Sequence, residues 1–132
     1  MKKILLLFVL FGLLSCSKDE DVDTTEYYVK YEVSCKFKRD YGNYSGTMSI
    51  VINGTGCQKI EVKDKFNGYS WSDVCGPFKK GDKVSLSVET TTPKGSYYDI
   101  DAKMSVCKGT APFVTKKSSS TKNSVSLSYK IE

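Results

Sequence analysis

Histidine is absent from the 132 residues, tryptophan occurs once, and proline occurs three times. Without histidine there is no Ser-His-Asp or Cys-His arrangement to activate a nucleophile. With no Cys-x-x-Cys either, the usual zinc ligand sets are missing, and neither a metal nor a cofactor is expected. No glycine-rich phosphate loop and no calcium-loop pattern occurs. The positive residues stand singly or in pairs, as at Lys38-Arg39, Lys79-Lys80 and Lys116-Lys117, with no basic helix to enter a groove. That argues against nucleic acid as a partner. Asp99 and Asp101 are the carboxylates best spaced to flank a sugar, yet as alternate residues of a strand they read as ordinary solvent-facing side chains, and no enzyme is expected.

Long apolar runs are also scarce. The most prominent spans Ile4 to Leu14, after Lys2 and Lys3 and before Leu13-Leu14-Ser15-Cys16. A basic head, an apolar middle and a small residue at the end follow the plan of a secretory signal peptide. Such a run makes at most ~16 Å of helix, about half of a hydrocarbon core, so it is too short to remain as a spanning anchor. The tetrapeptide resembles the lipobox of bacterial lipoproteins. That resemblance implies removal of residues 1–15, lipidation of Cys16 (diacylglycerol and palmitate-type chains) and a membrane partner held through the lipid.

Residues 16–26 then read as a linker in which Lys18 stands against Asp19, Glu20, Asp21, Asp23 and Glu26. The acidic run resembles the export signal that sends some lipoproteins to the exterior face of the outer membrane. Asp23-Thr24-Thr25 resembles a bacterial O-glycosylation site. The remaining residues 27–132 carry 17 basic and 10 acidic side chains and are long enough for one domain with one core.

Period-two alternation dominates that domain. From Tyr27 to Phe37 the odd positions are Tyr, Val, Tyr, Val, Cys and Phe, the mark of a half-buried strand. Similar runs centre on Ile50, Ile60, Leu86, Met104 and Leu127, and a short one spans Tyr69 to Cys75, so about seven strands are expected. Turn signals at Gly42-Asn43, Asn53-Gly54, Asn67-Gly68, Gly81-Asp82, Pro93-Lys94-Gly95 and the serine run 118–120 separate them. The expected fold class is all-β, an antiparallel β-sandwich of immunoglobulin-like or transthyretin-like kind. The stretches Ser70-Trp71-Ser72-Asp73-Val74 and Lys80 to Leu86 resemble the middle of small β-sandwich lipoproteins and of mycobacterial membrane-transport accessory proteins, a likeness that bears on fold alone.

If strands alternate in direction, the loops sort to two poles. The pole where the linker enters, called proximal, collects turns 53–56, 76–82 and 108–122, and the distal pole collects 38–46, 66–69 and 91–96. Besides Cys16 there are four cysteines, Cys35, Cys57, Cys75 and Cys107, and export to an oxidising space implies two disulfides. The pole positions favour Cys57 with Cys75, leaving Cys35 with Cys107, an awkward reach.

The distal loops are rich in Tyr with Gly, Ser and Asn, a composition suited to presenting rigid amphipathic contact area. Tyr41, Tyr44, Tyr69, Tyr97 and Tyr98 are the candidate ligand-binding residues, facing a glycan or a surface protein. Trp71 reads as a core residue. The resulting expectation is a lipid-anchored, non-catalytic binding module on the outer membrane facing the cell exterior. The alternatives are an accessory or structural lipoprotein of a membrane assembly or transporter, or a small protease inhibitor.

Overall fold

β1 (Tyr27–Arg39) shows how alternation becomes architecture, because Tyr27, Val29, Tyr31, Val33 and Cys35 are buried while Tyr28, Lys30, Glu32 and Ser34 lie at the surface. A computed structural model describes residues 23–39, 47–52, 59–63, 69–91 and 95–132. The other strands are β2 (Thr47–Ile52), β3 (Lys59–Lys63), β4 (Tyr69–Phe78), β5 (Lys83–Thr91), β6 (Ser96–Lys108), β7 (Val114–Lys122) and β8 (Ser124–Lys130). They form two four-stranded antiparallel sheets, ordered β4-β1-β6-β7 and β3-β2-β5-β8. The chain is all-β and a sandwich.

The two inner faces meet in one cluster. Tyr31 and Val33 of β1, with Ile100 and Met104 of β6, face Ile50 of β2 and Leu86 of β5. Among the described residues, every member of that cluster falls between Tyr27 and Ile131. Fully burying one such aliphatic side chain contributes ~1.5–3 kcal/mol, and packing of this kind carries most of a small domain's stability.

About seven strands are expected and eight are found, the additional one being β7, which lies within the stretch 108–122 that reads as a proximal loop. β7 reads Val-Thr-Lys-Lys-Ser-Ser-Ser-Thr-Lys and is exposed along almost its whole length. It is an edge strand held by backbone pairing to β6, for example Ala102 with Ser119 and Asp101 with Ser120. With neither face buried it needs no apolar alternation, the signal by which strands are recognised. Its lysines also discourage pairing with another chain at that edge.

The polar edge strand turns directly into the other sheet through a single residue, Asn123, which has a φ of 66°. Left-handed backbone suits Asn better than most residues. Its amide N–H donates to the Tyr98 carbonyl (3.0 Å), its Oδ1 accepts from the Tyr98 N–H (3.0 Å), and its carbonyl accepts from the Thr90 N–H (3.0 Å). One residue thereby ties β5, β6, β7 and β8 together at the distal pole. At the other end Gly76 sits at a φ of 151° beside a register shift in β1, and a Cβ there would meet the Tyr27 carbonyl oxygen at 2.9 Å. Glycine is required at that close approach.

Two outcomes are expected on unfolding. Asn123→Ala removes the Tyr98 acceptor and the left-handed tolerance, and denaturant titration should show a loss of ~2–3 kcal/mol, with Asn123→Gly recovering part of it. Tyr31 carries a buried hydroxyl with no hydrogen-bond partner, and burial pushes its phenol up to about 12 from an ordinary 10.0. The folded chain keeps that proton where the unfolded chain has lost it, so this contribution to stability is complete below pH 10 and is lost as pH rises toward 12. Tyr31→Phe should unfold at the same or a slightly higher denaturant midpoint at pH 7, and should lose less stability than the parent across that alkaline window.

Candidate functional site

The outer face of the β4-β1-β6-β7 sheet follows from the same parity that builds the core. Across the sheet, the register sets Ser72, Glu32, Lys103 and Ser118 in one row and Ser70, Ser34, Asp101 and Ser120 in the next. A third row runs Lys36, Asp99 and Lys122, one step nearer the distal pole. Serine reaches one carbon from the backbone and lysine four, so the serine-rich middle row is a depression between taller neighbours. The depression is a cleft of about 490 Å³ over Glu32, Ser34, Ser70, Ser72, Asp101, Lys103, Ser118 and Ser120, with Trp71 beneath. It adjoins a second cleft of about 540 Å³ over Ser34, Lys36, Ser70, Asp99 and Asp101.

Electrostatics pin the proximal wall of this trough. Glu32 takes Lys103 at 2.8 Å and Lys30 at 3.1 Å. Hydrogen bonds from Lys103 and then Lys30 hold its carboxyl below the usual range, against a small opposing effect of desolvation. All three side chains are partly exposed, so the network fixes side-chain positions more than it stabilises the fold. On the floor, the Ser120 hydroxyl donates to the Asp101 carboxylate. Lys30, Lys36, Lys103 and Lys122 face Glu32, Asp99 and Asp101 across the trough, so its charges nearly balance. Hydroxyls that both donate and accept, carboxylates that accept and ammonium groups that donate are here presented together.

At the distal end, the Tyr97 ring lies half-buried on the same outer face, with the Lys122 ammonium 4.3 Å from its centroid. Tyr69 and Trp71 are partly buried and pack against the core from β4. Tyr98 requires a correction, since its ring is fully buried within the core and offers no face for stacking. The reason is parity: Tyr97 and Tyr98 are neighbours on one strand, so they point to opposite faces. Tyr41 and Tyr44 lie outside the described residues.

No family model matches this chain, and no curated protein or solved structure matches it either.

The trough serines were not singled out from sequence. Asp99 and Asp101 stand out in the sequence only as a pair, and Ser118 to Ser120 read as a turn. The cue that was available is the polar half of the alternation in β1, β4 and β6, which carries Glu32, Ser34, Ser70, Ser72, Asp101 and Lys103 at mutually consistent positions. Assembling them needs the order of the strands, which the sequence does not state. Among the described residues, no three side chains of His, Cys, Asp or Glu cluster in a way that would hold a metal ion.

The cysteines also need correcting. Cys35 pairs with Ile100, and Cys107 pairs with Tyr28 at the opposite end of the same β1-β6 ladder. Seven residues of strand separate them, ~23 Å, against the ~7 Å limit for a bridge. The expected Cys35–Cys107 disulfide is therefore excluded by register, and the two lie in one sheet instead of facing each other across the sandwich. Cys75 is disulfide-bonded, while Cys57 lies outside the described residues. Non-reducing peptide mapping of the mature domain should thus find Cys75 in a disulfide and no Cys35–Cys107 linkage; a peptide joining Cys35 to Cys107 would contradict the β1-β6 register.

Proposed function

We propose that this chain is a lipid-anchored, non-catalytic binding module, exported to the exterior face of the outer membrane, whose ligand is a neutral or weakly charged glycan. The observation that carries this reading is the open trough on the outer sheet face, built from hydroxyls, carboxylates and ammonium groups of four strands. A polyol matches it because each sugar hydroxyl both donates and accepts, as the serines do. An apolar ligand would leave the trough's polar groups without partners. Tyr97, at the distal end, supplies the kind of flat aromatic surface on which a sugar ring stacks. Of the distal tyrosines expected to bind, Tyr97 is the one that supports this reading.

Attachment rests on the lipobox at Cys16, and the outward face on the acidic run that follows it. Asp99 and Asp101 serve as hydrogen-bonding groups in this reading: the Asp101 carboxylate already accepts from Ser120, as a binding residue's would.

The test pairs binding with stability. Ser34→Phe fills the trough, and Asp101→Ala removes its central acceptor; glycan-array or titration binding should fall at least about tenfold for each, while thermal midpoints stay close to the parent's. Tyr97→Ala should weaken binding by a smaller factor. Metabolic labelling with an acyl analogue should be lost in Cys16→Ser. Absence of any glycan signal from the parent, or equal binding by parent and Ser34→Phe, would remove the trough as the site.

A further inference from the structure

The proximal pole carries a second surface with different chemistry. Between β6 and β7 the chain turns through Gly109 to Phe113, and Gly109 donates its N–H to the Glu26 carbonyl at 2.8 Å. The turn is thereby held against the segment that leads back to Cys16. Phe113 and Val114 are 41% and 56% exposed, and the other exposed large hydrophobic among the described residues is Val74, at 48%. Val74 pairs with Lys30, near the proximal end of the same sheet. Exposed apolar side chains among the described residues are therefore gathered at one end of the molecule.

Beside the turn lies a hollow of about 350 Å³. Its floor is apolar, with Val106, Pro112, Val114 and Ile131 between the rings of Tyr27 and Tyr129. Its rim is basic. Lys80 borders it, Lys108 reaches over the Tyr27 ring at 6.0 Å, and Lys116 over the Tyr129 ring at 5.9 Å. Two acids, Asp23 and Glu132, share the border. The Asp23 carboxylate already accepts from the Thr25 N–H at 3.0 Å.

We infer that this pole is a lipid-docking surface: the turn at Phe113 and Val114 inserts among headgroups while Lys80, Lys108 and Lys116 take their phosphates. An exposed apolar tip ringed by lysines is the pattern by which a soluble domain binds an anionic bilayer surface. The occupant follows from charge and from the path of the chain. Seven residues separate Cys16 from Asp23 and extend at most ~25 Å. If Cys16 is lipidated, as the proposed function holds, the bilayer that carries the anchor cannot lie farther than that from this hollow. The inference rests on that anchoring for its biological setting, but the surface chemistry is present in the chain without acyl groups.

The experiment uses that separation. Because the core cluster of the described residues lies within 27–131, the chain beginning at Ser17 retains all eight described strands, and its thermal midpoint is compared with that of the lipidated protein as a control. This chain is sedimented with vesicles of phosphatidylcholine alone or with about 30% phosphatidylglycerol. The expected result is binding to the anionic vesicles, at least about fivefold weaker on neutral ones and weakened by added salt. The double substitution Phe113→Ser with Val114→Ser should reduce binding severalfold on either vesicle, and Lys108→Glu with Lys116→Glu should abolish the preference for anionic lipid, both without a shift in thermal midpoint. Equal sedimentation of the parent on both vesicles, no sedimentation on either, or full binding by the serine variant would overturn the inference. The no-binding result would leave the pole to a protein partner. Loss of acyl labelling at Cys16 is read in a different assay, so failure of anchoring and failure of docking are told apart.

Discussion

Thirteen consecutive pairs join β1 to β6, from Tyr27 with Lys108 to Arg39 with Ser96, and the two strands stay in register throughout. This ladder determines which half of each strand becomes core and which becomes surface. A slip of one residue would carry Tyr31 and Val33 into water and Glu32 into the interior, where an ionised carboxylate is costly. The same slip would scatter the serines that line up across the outer face. Core and trough are thus two readings of one register, and neither can be altered alone.

The corner at Asn123 completes that arrangement. β7 has no buried face to hold it, so it depends on its ladder to β6 and on the sharp turn that passes the chain into β8. Asn123 binds both Tyr98 and Thr90, which belong to different sheets, so the edge of one sheet is fastened to the body of the other. The fourth column of the trough, Ser118 and Ser120, stands on this strand. A polar edge held by one left-handed residue is what widens the outer face enough to form a cleft.

Much of this was legible in the residues. Strands whose inner half is apolar announced themselves, and β1, β5 and β8 begin and end close to where alternation placed them. β6 runs to Lys108 at one end and back to Ser96 at the other, beyond the Ile100-to-Val106 pattern, because burial continues to Tyr98 and Cys107 and backbone pairing with β1 extends past both. β7 was invisible for the opposite reason, having pairing without burial. The loop tyrosines show a subtler limit. Composition marked Tyr97 and Tyr98 alike, but strand parity sends one to the surface and the other to the core, and no local property of the dipeptide says which. The Cys35–Cys107 pairing failed likewise, because poles inferred from turn counting do not reveal that both residues lie in one sheet on adjacent strands.

The two proposed surfaces constrain one another through the direction of β1. Tyr27 is at the proximal end and Arg39 at the distal end, so the strand spans ~40 Å from pole to pole. The trough rows at Glu32, Ser34 and Lys36 begin five residues above Tyr27 and end nine above it, which places them ~17–30 Å from the proximal pole. With that pole seated on lipid, the trough stands clear of the headgroups with its open side facing sideways. Its rows cross the strands, so an extended ligand following a row would lie parallel to the membrane and span the ~15 Å from β4 to β7. A ligand following β1 would instead rise away from the bilayer past Tyr97. The serine rows favour the first path, because each offers a polar side chain from every strand of the sheet, whereas along β1 the one serine, Ser34, stands between Glu32 and Lys36.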